Sequence, residues 1–188
     1  MLIDIQDSLR DVLQNVRKEI RRAAVDRKHP FRFVVLGTVQ SSVAMRYVVL
    51  RKVDEDFNLL IYTDHRSRKV KDVVQNPNVQ LLFYHPQKRV QVIISCRVAI
   101  HHNDELAKKH WNHVQGEARK AYCSIDAPGE RIDAPSDAYE WEAELSDKYF
   151  TVLSMKPNKI EVLQLNGLEH LRAIFENKSD WNGQWLVP

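Results

Sequence analysis

The sequence predicts a mainly β, α+β protein: an antiparallel barrel with a few peripheral helices. Three observations predict it. Short runs rich in Val, Ile, Leu, Phe and Tyr recur at regular spacing from residue 31 to the end, bounded by Asp, Asn, Pro and Gly. Few helical patterns interrupt them. Only 5 glycines occur in 188 residues, which argues against the glycine-rich phosphate loops of nucleotide-binding α/β folds.

The length suits one domain, residues 1–188, large enough to bury a full core. Apolar residues make up 44% and charged ones 28%, ordinary for a globular chain, and the formal net charge of +3 is too small to mark a nucleic-acid binder. Two cysteines, Cys96 and Cys123, make no disulfide framework. No apolar leader or bilayer-length run is visible, so the cytoplasm is the expected compartment and neither membrane nor nucleic acid an expected partner.

Ile3 to Ala24 has helical periodicity, with Ile5, Leu9, Val12, Leu13, Val16 and Ile20 on one stripe. Residues 1–25 are therefore read as a helix packed on the domain, capped by Asp4 or Asp7. Phe31 to Val39 reads as the first strand. Met45 onward and Phe57 to Thr63 read as two strands of a hairpin, joined by the acidic turn Asp54-Glu55-Asp56. Asn78 to Tyr84 is a further strand. Lys88 to His101 is a long one, apolar at both alternating sets of positions and so expected to be buried on both faces. Asp104 to Val114 reads as a helix, and 116–140 as loop with one helical turn. Phe150 to Met155, Lys159 to Leu165 and His170 to Phe175 read as closing strands, with Trp181 to Pro188 as a further short one.

The informative stretch follows the hairpin. Arg66, Ser67, Arg68, Lys69 and Lys71 crowd the start of a helix that stops at Asn76-Pro77. Cations are disfavoured at the positive end of a helix dipole. They make sense there if an anion such as phosphate is held by the free N–H groups and the Ser67 hydroxyl.

The order R-Y-V-V-L-R (46–51), Y-T-x-x-x-S-R-K (62–69) and R-V-Q-V (89–92) resembles the flavin-binding core of the pyridoxamine 5′-phosphate oxidase family. Trp181 and Trp185-Leu186-Val187-Pro188 are similar to the family's terminal motif. The resemblance implies a split barrel of about six to eight strands that binds flavin mononucleotide (FMN) at the interface of a homodimer. It implies that Arg46, Tyr47, Val48 and Val49 meet the cofactor, and that Tyr62, Thr63, Ser67, Arg68 and Lys69 hold its phosphate. Gln91 would face the isoalloxazine. Arg51 would bind a small-molecule substrate, taking its phosphate where it has one. No catalytic acid or base is implied, and no metal.

The chain departs from the oxidases where they contact substrate. In Gly167 to Phe175, Leu171 and Ala173 replace an expected arginine and histidine, and Arg172 is displaced by one position, the other face of a strand. No convincing match to the family's substrate-binding tyrosine, arginine and serine appears between Asn103 and Ala127. The reading is an FMN-dependent oxidoreductase on a small substrate, against a non-enzymatic FMN binder that has lost the substrate site. A nucleic-acid module using Lys88, Arg89 and 66–71 is a third reading, and His110, His113 and Glu117 have metal-ligand spacing.

Overall fold

The structure, a computed structural model, describes all residues from Met1 to Pro188. It holds nine strands in one antiparallel sheet: β1 (Phe33–Val39), β2 (Val43–Val49), β3 (Lys52–Val53), β4 (Leu59–Asp64), β5 (Asn78–His85), β6 (Val90–His102), β7 (Phe150–Gln164), β8 (Leu171–Glu176) and β9 (Gly183–Leu186). The order is β2-β1-β5-β6-β7-β4-β3, with β8 also on β7 and β9 on β8. Three helices accompany it: α1 (Leu9–Val25), α2 (Arg68–Gln75) and α3 (Glu105–Trp111). No helix is long and apolar enough to cross a membrane.

The barrel is split along β7. The two strands expected between Phe150 and Leu165 are one 15-residue strand. Its first half, Phe150–Met155, pairs with β4, and Lys159–Gln164 pairs with β8 on the same edge. Pro157 lies at the fork, where a missing N–H costs that edge nothing. β9 then packs so close that a Cβ on Gly183 would lie 2.3 Å from the Phe175 ring, so only glycine fits.

The expected hairpin forms only next to its acidic turn, between β3 and β4. β2 pairs with β1, Val49 opposite Phe33, and β4 instead pairs with the short β3 and with β7. The chain changes partner between consecutive residues, the Leu50 amide donating to Arg32 O and the Arg51 amide to Leu60 O. The acidic turn survives between β3 and β4, where the Asp54 carboxylate accepts from the Asn58 amide at 2.7 Å. Leu50 is wholly buried, so the chain bends where continued pairing along β1 would pull it from the core.

α1 begins at Leu9, later than its stripe suggested. Ser8, rather than Asp4 or Asp7, forms a capping box with Asp11, while Ile5 lies 73% exposed outside the helix. Val12, Leu13, Val16, Ile20 and Ala23 close one end of the core. Phe31 is not in a strand but in a turn, Pro30–Arg32, held by the His29 ring, which accepts the Phe31 amide.

The prediction of two-sided burial for β6 fails within one chain. Val90, Val92, Ile94, Cys96 and Val98 are buried, but Gln91, Ile93 and Ser95 look outward. They belong to an open sheet face with Phe33, Val43, Met45, Tyr47 and Tyr84, all at least 48% exposed. A groove of about 500 Å³ runs across this face between β2 and β6.

Candidate functional site

α2 follows β4 after a three-residue turn, which sets two anion-seeking features side by side. Ser67 is the N-cap residue, yet its side chain caps nothing. The amides of Arg68 and Lys69 have no acceptor in the protein, as expected of a helix's first turn. The Ser67 and Thr63 hydroxyls lie 3.2 Å apart, and Lys69 Nζ donates to Thr63 Oγ1 at 3.0 Å. Burial, and then neighbouring Arg46, push the Lys69 ammonium below the usual lysine pKa, and no carboxylate pairs with it.

Arg46 reaches the same place from β2. Its guanidinium donates to Thr38 Oγ1 at 2.7 Å and to the buried Asp72 carboxylate at 3.1 Å. Arg68, mostly exposed, approaches Asp72 at 3.9 Å. Three cations against one carboxylate leave two positive charges around free helix amides.

Of the cations crowding this helix start, Arg66 serves another purpose. It pairs with Asp64 at 2.7 Å, donates to the carbonyls of Ser124 and Ile125, and stacks over the Tyr149 ring at 3.5 Å. It ties the 124–127 loop to the barrel. Lys71 points to solvent.

Tyr62 is not in the cradle. Strand alternation puts Thr63 beside Ser67 and Lys69 but turns the Tyr62 ring to the other face, against Phe150 and α3. There the Tyr62 hydroxyl lies 2.8 Å from His110 Nδ1. Arg51 joins this second cluster, its guanidinium 5.8 Å over the Tyr62 ring and 3.3 Å from the Tyr122 hydroxyl. Arg46 and Arg51 thus engage different groups, separated by the change of strand partner at Leu50.

Burial raises the pKa of both phenols. Burial lowers that of His110, helped by Lys52, His113, Lys109 and His101. Tyr62, Tyr122 and His110 are therefore neutral at pH 7. Tyr122 was missed in the sequence because it ends the short helical turn of residues 116–122, and nothing in that turn marks its contact with Arg51, 71 residues away.

The remaining predicted residues divide between faces. Val48 points into the core, whereas Tyr47, Val49 and Gln91 lie on the open face, Gln91 opposite Tyr84. One chain does not bring Gln91 to the cradle. Arg172 is engaged by Glu161 at 2.6 Å.

The histidine spacing noted in the sequence makes no metal site. His110 is bound to Tyr62, His113 to Lys109 O, and Glu117 pairs with Lys120. Glu19, His29 and His85 do converge, unexpectedly, with ligand atoms within 4.8 Å of one another. However, both rings accept a backbone amide at Nδ1, from Phe31 and Lys88. Their protons therefore sit on Nε2, aimed at Glu19, and a metal would need that nitrogen bare. Lys88 Nζ, 2.5 Å from Glu19, completes a buried ionic cluster that fastens α1 to the barrel.

A family model described as pyridoxamine 5′-phosphate oxidase matches residues 20–163, and the chain belongs to that family. A Caenorhabditis elegans protein provisionally named a pyridoxamine 5′-phosphate oxidase is 26% identical over 141 residues, covering 75% of this chain. The chain spans 54% of that relative's length. Two solved structures share the fold. One is a pyridoxamine 5′-phosphate oxidase-related, FMN-binding protein from Nostoc punctiforme PCC 73102, with TM-score 0.76, 21% identity, and coverage of 94% of this chain and 96% of that one. The other is PhzG from Burkholderia lata 383, solved with tetrahydrophenazine-1-carboxylic acid, with TM-score 0.73, 19% identity, and coverage of 94% and 92%. The split barrel is therefore the fold of this family.

Proposed function

We propose that this chain is an FMN-binding flavoprotein and an oxidoreductase acting on a small substrate. The observation that carries the reading is Lys69, a half-buried ammonium paired with no carboxylate (nearby Asp64 being held by Arg66), beside Arg46 and two free helix amides. Burying a cation is unfavourable unless a charge pairs with it. A cradle with two net positive charges matches a phosphate monoester dianion, the charge state of FMN near pH 7. It fits a phosphodiester, as in deazaflavin cofactors, or the carboxylates of haem less well.

Arg46, Thr63, Ser67, Arg68 and Lys69 would hold the phosphate, and Tyr47, Val48 and Val49 would line the approach to the ring. FMN supplies hydride-accepting chemistry when bound. The chain supplies charge, orientation and exclusion of water. Arg51 would receive the substrate's anionic group, with Tyr122 beside it.

Gln91 requires a second copy. It faces away from its own cradle, on the exposed apolar face of β1, β2, β5 and β6. A symmetric dimer burying that face would let Gln91 and Tyr47 serve the cofactor across the interface.

A second reading, a flavin carrier or sensor without turnover, draws on β8. There Leu171 and Ala173 offer no charge, and Arg172 is neutralised by Glu161. Reconstitution with FMN tests the main reading: a yellow protein absorbing at about 450 nm with one flavin per chain is expected. A protein that stays colourless in excess FMN overturns both readings.

A further inference from the structure

We infer that the mouth of the split between β4 and β8 is a second binding site, taking a small oxyanion, a carboxylate or a phosphate group, on Arg17. No residue of the α2 cradle or of the Arg51 cluster lines it, so it stands apart from the flavin reading.

α1 lies across the split, against β3 on one side and β9 on the other, and brings Arg17 to its mouth. The guanidinium is held between two rings, 5.2 Å from the centre of Phe57 and 5.0 Å from that of Trp181. Ring faces attract the cation but leave its N–H groups without acceptors. Arg17 Nε is the one buried side-chain nitrogen or oxygen in the chain that lacks a hydrogen-bond partner. Such a group is costly, and in a native fold it asks for an explanation. Arg21, one turn further on and 5.5 Å over the same Phe57 ring, shows the contrast: its guanidinium is spent on the carbonyls of Asp54 and Glu55.

The clamp is built from strained backbone. Phe57 has φ 66° and Trp181 φ 61°, the left-handed region that bulky side chains seldom adopt. Both rings pack on the main core, which offsets the strain. Strain of this kind gathers where a structure holds a ligand or a reactive group. Here both strained residues serve one purpose, to fix the same guanidinium in place.

A cavity of about 420 Å³ opens beside it, walled by both rings and by Pro157 at the fork of β7. Two cations line the cavity, Arg17 and Lys156, against one acid, Asp56, and the latter two side chains are exposed. The neighbouring Asp54 carboxylate is already engaged by Asn58. Burial and Arg21 oppose the Arg17 charge, and no acid offsets them. An oxyanion entering the cavity meets a fixed guanidinium fork and a free ammonium, the geometry and charge that suit it.

The test uses the full-length chain loaded with FMN, or carrying Arg68→Ala and Lys69→Ala if it takes up none, so that the α2 cradle is closed to added anions. Succinate and inorganic phosphate are titrated at constant ionic strength, with sodium chloride as the control. The nitrogen–proton NMR signal of Arg17 Nε, identified by its loss in Arg17→Lys, reads the site directly. At least one of the two anions should shift it saturably, with a Kd of about 1 mM or tighter. Tighter binding of succinate assigns the site to carboxylates, and tighter binding of phosphate to phosphates. By calorimetry, Arg17→Gln should weaken binding about tenfold or more and Lys156→Gln about threefold, while Asp56→Asn should tighten it about threefold. Arg10→Gln, in a separate cavity on the far side of Trp181, should change nothing. Lys156 and Asp56 are exposed, so their variants decide the matter even if Arg17→Gln does not fold. No saturable response to either anion, wild-type affinity in a folded Arg17→Gln, or indifference to both Lys156 and Asp56 overturns the inference.

Discussion

Lys69 Nζ donates to Thr63 Oγ1 at 3.0 Å, joining the first turn of α2 to the end of β4 through a neutral hydroxyl where a carboxylate would ordinarily stand. The two residues frame the cradle, and its anion should carry much of the cofactor's affinity. Arg68→Ala combined with Lys69→Ala is expected to leave the fold intact, since neither side chain belongs to the apolar core. Each charge-assisted contact contributes about 1.5–3 kcal/mol. FMN affinity should therefore fall by about a hundredfold or more, measured by fluorescence quenching of free flavin. Wild-type affinity in the double variant would refute the cradle.

The same lysine should make FMN binding pH-dependent. Burial and Arg46 lower the Lys69 pKa in the free protein, and a bound dianion raises it again. Below the free-state value Lys69 is already charged, and its contribution does not change with pH. Between the free and bound values, binding takes up a proton, so affinity declines as pH rises. Titration calorimetry in two alkaline buffers of different ionisation enthalpy should detect that uptake, and Lys69→Met should abolish it.

The Glu19 cluster should govern acid stability. Burial alone would raise the Glu19 pKa, but hydrogen bonds from Lys88 and His29 outweigh it and bring the carboxyl below its usual value. His85 is also lowered, by burial first and Lys88 second. In both cases the unfolded chain binds protons that the folded chain resists, so stability falls with pH. The loss should begin as pH drops below about 6.5, the ordinary histidine value, and deepen below about 4.3, that of glutamate. Glu19→Ala, which strands Lys88 and both rings, should cost about 3–5 kcal/mol in urea denaturation.

Assembly is tested at the open face. Sedimentation with FMN should show one species of twice the 22.0 kDa chain mass. Met45→Asp, on a residue 70% exposed and lining the groove, should yield monomers with weakened flavin binding. A fully flavinated wild-type monomer would contradict the shared site.

Pyridoxamine 5′-phosphate should be a poor substrate. Leu171 and Ala173 stand where a charged and a strongly hydrogen-bonding contact are expected, and Arg172 is held by Glu161. Losing two such contacts costs roughly 3–6 kcal/mol of transition-state binding. That corresponds to a fall of about two to four orders of magnitude in kcat/KM, assayed as aldehyde formation. Ordinary turnover would mean that other side chains bind the phosphate.

The sequence by itself determined the features written within a few neighbouring residues. Short apolar runs bounded by turn residues marked β5, β6 and β8, because strands are local stretches closed by residues that favour turns. The helical stripe and the Asn76-Pro77 stop marked α1 and α2, and the Ser67-Arg68-Lys69 start of α2 pointed to the proposed anion cradle as a local conflict with the helix dipole. Tertiary structure decided what depends on partners far along the chain. β2 leaves β4 for β1 because pairing is set by burial summed over the whole sheet, which no turn signal between the two strands encodes. Arg66, one of the cations crowding the start of α2, is claimed by Asp64 and the carbonyls of residues 124–126. Arg51 meets Tyr122 across 71 residues, and Glu19 is buried under Lys88 from a turn 69 residues away. Such pairings depend on the path of the entire backbone, so a pattern read over one or two helical turns or one strand does not contain them.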